Sequence, residues 1–407
     1  VAARRSNRAW LSALAATAAS AGGAALALRP RGFTITPVAV SASDYFDAGD
    51  IARARRYERS QRRLAAAGSG AGALTLAALA PRPRKALVRG GAASAALEGV
   101  ALSLALTLVD LPFGVLARRR ALAAGLATGS WGQWASDTAR ATALGTTFAA
   151  GGAAGVRLLM ARFGERWWLL AAAGSVAAAG AATFAAPVLI APMFNDFTPL
   201  AEGELRRSVL EIAERAGVSV GEVFTVDASR RTSQINAYVG GIGATRRIVL
   251  YDTLLATFTP GETELVIAHE LAHVRHRDVW RSLLFGAIVA PAAACSIARI
   301  AERIDTALGR SQPTTLPALA ASGAVVGSLV GPFARWLSRA VERRADSFAL
   351  ELTGDADTFI GFEQQITRSN LADPDPPRWR SALRDTHPPA IERIGAALAY
   401  RSGARGA

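Results

Sequence analysis

Seven apolar runs divide this chain, each bounded by charge, proline or a polar segment. The first, residues 10–28, is long enough to cross a bilayer as a helix and is preceded by Arg4, Arg5 and Arg8. Its Ala25-Leu26-Ala27 also fits a signal-peptidase site, so a membrane anchor and a cleaved signal both remain open. Residues 44–63 are dense in Asp, Glu and Arg and read as a solvated helix leading into the second run, 64–80, which Pro81-Arg82-Pro83-Arg84 closes. The third run, 91–117, carries Glu98 and Asp110. Acids at such depth face other helices or a water-filled cavity, or else lie near an interface. Arg118-Arg119-Arg120 ends that run, and a polar segment with Trp131, Trp134 and Asp137 leads into the fourth, 141–160. Trp167 and Trp168 open the fifth, which reaches Pro192; tryptophan there fits an interfacial aromatic belt.

After Phe194-Asn195-Asp196-Phe197 the pattern turns polar. Residues 202–216 alternate charged and apolar positions at helical spacing, and 223–226 and 247–250 read as short strands enclosing Ser233 to Gly241. Thr259 is a natural N-cap, with Pro260 at the first helical position and Glu262 where a capping box wants its acid. Leu265, Val266, Ile267 and Leu271 continue that helix, with no breaker before Trp280. The sixth and seventh apolar runs are 283–300 and 316–337, and the C-terminal region is polar from Ser338.

Composition sharpens this picture. A chain that is 51% hydrophobic carries more apolar surface than one soluble core uses. Its net charge of +14 comes almost wholly from arginine, Lys85 being the one lysine. Those arginines collect at the ends of apolar runs, which suits membrane flanks and argues against nucleic-acid binding. A single cysteine, Cys295, excludes an internal disulfide framework.

The candidate chemistry sits in His269-Glu270-Leu271-Ala272-His273. Histidines four apart lie one above the other on a helix, where their imidazoles can share one Zn²⁺ and the glutamate between them can act on a bound water. With only four histidines in the chain, chance is a poor explanation of that spacing. A monozinc hydrolase needs a third protein ligand. Glu342 and Asp346 are one helical turn apart, so Glu342 can bind the metal while Asp346 holds an imidazole by its other nitrogen. By spacing alone this Glu-Arg-Arg-Ala-Asp cluster reads more readily as a salt-bridged solvent face. His276 shares the face of His273 but needs no ligand role.

At these residues the chain resembles the integral-membrane zinc metalloproteases typified by the type I CaaX prenyl endopeptidase, with the heat-shock protease HtpX more distant. The resemblance runs through Pro192-Met193-Phe194-Asn195-Asp196-Phe197-Thr198-Pro199-Leu200, Asn236-Ala237-Tyr238, the stretch from Arg246 to Leu255, Glu342 with Asp346, and His387-Pro388-Pro389 with Arg393. It implies one Zn²⁺ per chain on His269, His273 and Glu342, with Asp346 as companion and Glu270 as general base for peptide-bond hydrolysis. It also implies that His387 and Arg393 face the site, as donors to an oxyanion or as a clamp on a substrate carboxylate. Asn236, Ala237 and Tyr238 then form an edge strand for an extended substrate.

The expected fold is mainly α. About seven transmembrane helices form a membrane domain beside a zincin-like metalloprotease domain with a small β-sheet. The division expected is a membrane part over 1–195, a metalloprotease core over 196–282, two further spans over 283–337, and a C-terminal protease part over 338–407. The partners expected are a lipid bilayer and a peptide or protein substrate, C-terminal or lipid-modified substrates included, and no nucleic acid. Basic residues are nearly equal on the two sides, so the positive-inside rule decides little. The resemblance implies a cytoplasmic protease domain on a multi-pass plasma-membrane protein. An HtpX-like quality-control protease and a non-catalytic membrane scaffold of the same fold are the alternatives.

Overall fold

The computed structural model describes residues 2–80, 91–219, 222–241, 245–309 and 314–403, with side chains from Ala9 onward. The closing segment Pro81-Arg82-Pro83-Arg84 and Lys85 lie outside the described residues, as do the side chains of Arg4, Arg5 and Arg8. Five long helices come first: α1 (Ala2–Ala27), α2 (Ala48–Leu79), α3 (Ala92–Ala123), α4 (Trp131–Phe163) and α5 (Trp167–Ala185). Among the described residues, five stretches are long and apolar enough to cross a membrane: Ala9–Ala27, Ala92–Ala123, Trp131–Met193, Asp278–Ala307 and Leu316–Thr353. The stretch Trp131–Met193 takes in both α4 and α5, parted by the short turn Gly164–Arg166. The apolar run 64–80 forms the second half of α2 and is not among the five, so the expected count of seven is approximate.

Two details place the early helices within the bundle. Helix α1 packs into the bundle: Ala21, Ala24 and Ala25 are buried, Thr17 Oγ1 lies 2.8 Å from Ser296 Oγ, and Ser20 Oγ donates to the Ile288 carbonyl. Asp110 lies against Gly68 of α2 and therefore faces another helix.

The polar middle of the chain forms β1 (Phe197–Pro199), α6 (Glu204–Arg215), β2 (Glu222–Val226), β3 (Ala237–Gly240), β4 (Arg247–Tyr251) and α7 (Asp252–Thr257). The sheet order is β1-β2-β4-β3. Strands β2 and β4 are parallel, while β1 and β3 run antiparallel to their neighbours, so β3 is an edge. β1 is a strand the apolar pattern does not announce.

Helix α8 (Pro260–Arg275) follows, and its expected start is present: Thr259 and Glu262 form a reciprocal capping box behind Pro260. Leu265, Ile267, Ala268, Leu271 and Ala272 are buried, and Val266, Ile267, Ala268 and Leu271 share a core with Ile248, Leu250, Leu254 and Phe362. Arg277 adopts a left-handed conformation and turns the chain into α9 (Asp278–Ala307). Helix α10 (Leu316–Thr353) is a single helix, so no break separates the seventh apolar run from the polar stretch that starts at Ser338. The chain ends in α11 (Ala356–Ser369), α12 (Arg378–Arg384) and α13 (Ala390–Arg401). Helices α11 and α13 pack Phe359, Ile360, Ile394 and Ala397 beside Leu265 of α8 and Leu350 of α10.

Candidate metal centre

One helical turn on α8 sets His269 and His273 side by side, with their Nε2 atoms 3.3 Å apart. Helix α10, long and apolar enough to cross a membrane, brings Glu342 to the same point. Its Oε2 lies 3.1 Å from His269 Nε2 and its Oε1 3.7 Å from His273 Nε2. These residues form a group whose donor atoms all lie within 4.8 Å of one another. A tetrahedral ion with bonds of about 2.05 Å separates its ligand atoms by about 3.3 Å. Two nitrogens and a carboxylate at these spacings therefore fit Zn²⁺.

The far side of each imidazole is also engaged. His269 Nδ1 is 2.9 Å from Asp346 Oδ1, one turn beyond Glu342 on α10, and His273 Nδ1 is 3.1 Å from Asp278 Oδ2. A carboxylate behind each ring would fix the tautomer that leaves Nε2 free for a cation. The carboxylates are held in turn. Arg393 donates to Asp346 Oδ2 from Nε at 2.9 Å and to Oδ1 at 2.6 Å, and its remaining nitrogen pairs with Glu363. Asp278 is paired with Arg344 and accepts from Arg281 Nε at 3.2 Å.

This density of carboxylate calls for positive charge. Burial opposes a charge on His269, but hydrogen bonds to Asp346 and Glu342 outweigh it and push the imidazole up to about 10. The cluster thus favours positive charge at the point where a divalent cation would sit. Burial pushes the Glu270 carboxyl up, while His269 and His273 pull it back down. Glu270 Oε2 accepts the main-chain N–H of Val239 on the edge strand at 3.2 Å.

A cavity of about 700 Å³ opens beside the cluster, bordered by His269, Glu270, Asn236, Ala237 and His387. Of the three residues expected on the substrate strand, Asn236 and Ala237 line it, whereas Tyr238 packs with Val226 and Val249 in a separate cluster. His387 stands at the mouth, with 60% of its side chain exposed and Nε2 3.3 Å from Glu342 Oε2. Arg393 borders the cavity, and each of its three guanidinium nitrogens makes one contact, two to Asp346 and one to Glu363. An arginine so engaged holds Asp346 in place. His276 lies apart from the cluster, edge-on to Phe348.

Sequence reasoning did not find Asp278, Glu363 or the nearby Asn370. A carboxylate behind the second histidine could have been sought, since ligand imidazoles need one each. The turn at Arg277 that brings Asp278 back under His273 leaves no periodic signal.

Residues 199–401 match the model of peptidase family M48, and residues 36–196 match that of the CAAX prenyl protease N-terminal region with five membrane helices. The chain is 31% identical over 300 residues to the uncharacterized metalloprotease YhfN of Bacillus subtilis, covering 72% of this chain and 70% of the relative. It is 33% identical over 224 residues to a CAAX prenyl protease 1 homolog of Oryza sativa, an alignment spanning 52% of this chain and about half of that relative. The crystal structure of S. mikatae Ste24p has the same fold, with a TM-score of 0.75 at 21% identity over 95% of this chain and 96% of that one.

Proposed function

The chain belongs to peptidase family M48 and is a multi-pass integral membrane metalloprotease of the CaaX-protease type, and on that premise we propose that it is a zinc-dependent endopeptidase with Glu270 as its base. The observation that carries this reading is the spacing of the two Nε2 atoms and the Glu342 carboxylate, with Glu270 on the same helix turn.

In this reading His269, His273 and Glu342 hold one cation per chain, and Asp346 and Asp278 orient the two rings. Zn²⁺ bound there would supply a Lewis acid to acidify a water molecule and polarise a peptide carbonyl. Glu270 would take a proton from the attacking water and pass it to the departing amine. Its burial raises the carboxyl above its ordinary value, which makes it a stronger base for the first transfer. His387, at the cavity mouth, donates to the developing oxyanion. Arg393 acts through Asp346 as a positioning residue. The outer edge of β3 receives an extended substrate, with Asn236 and Ala237 on the cavity side and Tyr238 anchoring the strand from the other face.

The substrate proposed is a peptide or protein cut near its C-terminus, lipid-modified in keeping with the name of the CAAX relatives. The side proposed for the protease part is the cytoplasmic face of the plasma membrane. Detergent-purified protein stripped with a chelator should lose cleavage of such a peptide and regain it with one equivalent of Zn²⁺. Full cleavage by the stripped, metal-free protein would refute the reading. Matched prenylated and unmodified peptides then decide the lipid, a large preference for the prenylated one being expected.

A further inference from the structure

The edge of β3 is open over only a short length. Asn236 accepts the N–H of Tyr251, and Tyr238 and Gly240 pair with Val249 and Arg247 of β4. Main-chain groups alternate along a strand. Ile235, Ala237 and Val239 therefore turn theirs outward, toward the cavity that Ile235 and Ala237 line together with His269 and Glu270.

Two of these three positions are occupied. The Val239 N–H is taken by Glu270 at 3.2 Å. At Ile235 both groups are taken by one side chain: the N–H donates to Asn370 Oδ1 at 3.1 Å, and Asn370 Nδ2 donates to the carbonyl at 3.4 Å. A primary amide that gives and receives one bond each at the same residue stands in for the peptide unit of a neighbouring strand. Asn370 is also firmly mounted. It caps α11, its own N–H bonds to the Ile366 carbonyl, and Leu371 then turns the chain away with a φ of 49°. It borders the cavity beside Ile366 and Thr367.

We infer that Asn370 is a specificity-determining stop on the substrate edge, which limits main-chain pairing of an extended peptide to Ala237 and the Val239 carbonyl. The inference rests on the edge-strand reading above. A peptide laid on β3 exchanges both of its bonds with Ala237. About 7 Å further along, two residues at a strand's rise, it meets Asn370 in place of a free Ile235 and leaves the edge. Recognition on that side of the cut bond then depends on side chains and not on further backbone pairing.

The test compares the full-length protein in detergent with Asn370→Ala and Asn370→Asp on a nested series of synthetic peptides. The peptides are lengthened one residue at a time on each side of a mapped cleavage site and N-methylated at single positions. Wild type should show no gain in KM beyond a fixed length on one side. Asn370→Ala should gain roughly three- to ten-fold from the next one or two residues there, the worth of one or two neutral hydrogen bonds. N-methylating the added residues should erase the gain. Asn370→Asp keeps the acceptor for the Ile235 N–H and loses the donor, so it should gain less.

Identical length dependence in wild type and both variants, each with full metal content, would overturn the stop. N-methylation without effect at every position in wild type would instead overturn the edge-strand reading itself. Should Asn370→Ala fail to bind metal, Asn370→Asp carries the comparison.

Discussion

The main-chain N–H of Val239 on the edge strand donates to Glu270 Oε2 at 3.2 Å. The strand proposed to carry the substrate and the carboxylate proposed to activate water are thus joined before any substrate arrives. The bond opposes the burial that raises the Glu270 carboxyl. Val239→Pro removes this donor at an outward-facing edge position, where proline costs no ladder bond. The acid limb of the pH–kcat/KM profile should then move to higher pH, because a base that has lost a hydrogen bond to its charged form is deprotonated later. Metal content should be unchanged. An unmoved acid limb would show that this contact does not tune the base.

Asp346 and Asp278 each stand behind one histidine of the metal cluster. Asp346→Asn and Asp278→Asn should each weaken Zn²⁺ binding by about 10- to 100-fold, as loss of such partners does elsewhere. Competition with a fluorescent chelator reads this directly. An affinity within two-fold of wild type would remove the residue from the metal's support.

In the metal-free protein His269 is held protonated, its pKa lifted to about 10 once hydrogen bonding to Asp346 and Glu342 outweighs burial. A cation has to displace that proton. Zn²⁺ uptake by stripped protein at pH 8 should therefore release at least one proton per chain, and affinity should keep rising with pH toward about 10. Calorimetric titration in buffers of different ionisation enthalpy measures the release, and a value near zero contradicts this electrostatic picture.

Burial lifts Glu363 from an ordinary value of 4.5 to about 7, although Arg393 pulls the other way. A folded pKa above the unfolded one means that the folded state binds the extra proton. The stabilising contribution is complete below about 4.5 and is lost as pH rises through about 7. The difference in melting temperature between wild type and Glu363→Gln should accordingly shift against wild type from pH 4.5 to 7 and level off above. A difference that is flat across that window would place the titration elsewhere.

How far the sequence carried depended on whether a feature was local. Helix α8 was legible because its cap, its apolar stripe and its two ligands all lie within one short segment. The strands β2 and β4 were legible for the same reason, whereas β1 is three residues defined only by its pairing with β2. Glu342 was ambiguous from spacing, since a ligand and a solvent-facing acid look alike until α10 is packed against α8. The division at Ser338 reflects a change from a partly exposed to a mostly buried stretch, which leaves the helix itself unbroken. Asn370 meets Ile235 across 135 positions of chain, and no periodicity reports such a pair. Arg393 was placed near the site, but its attachment to Asp346 and Glu363 needed the packing of α11 against α13.

The measurement that bears most directly on the central claim is zinc content and peptide cleavage of freshly purified, undialysed protein, wild type beside Glu270→Ala. One zinc per chain in both, with cleavage in wild type alone, is the predicted result. Wild type without zinc, or a Glu270→Ala variant that cleaves as fast as wild type, would contradict it.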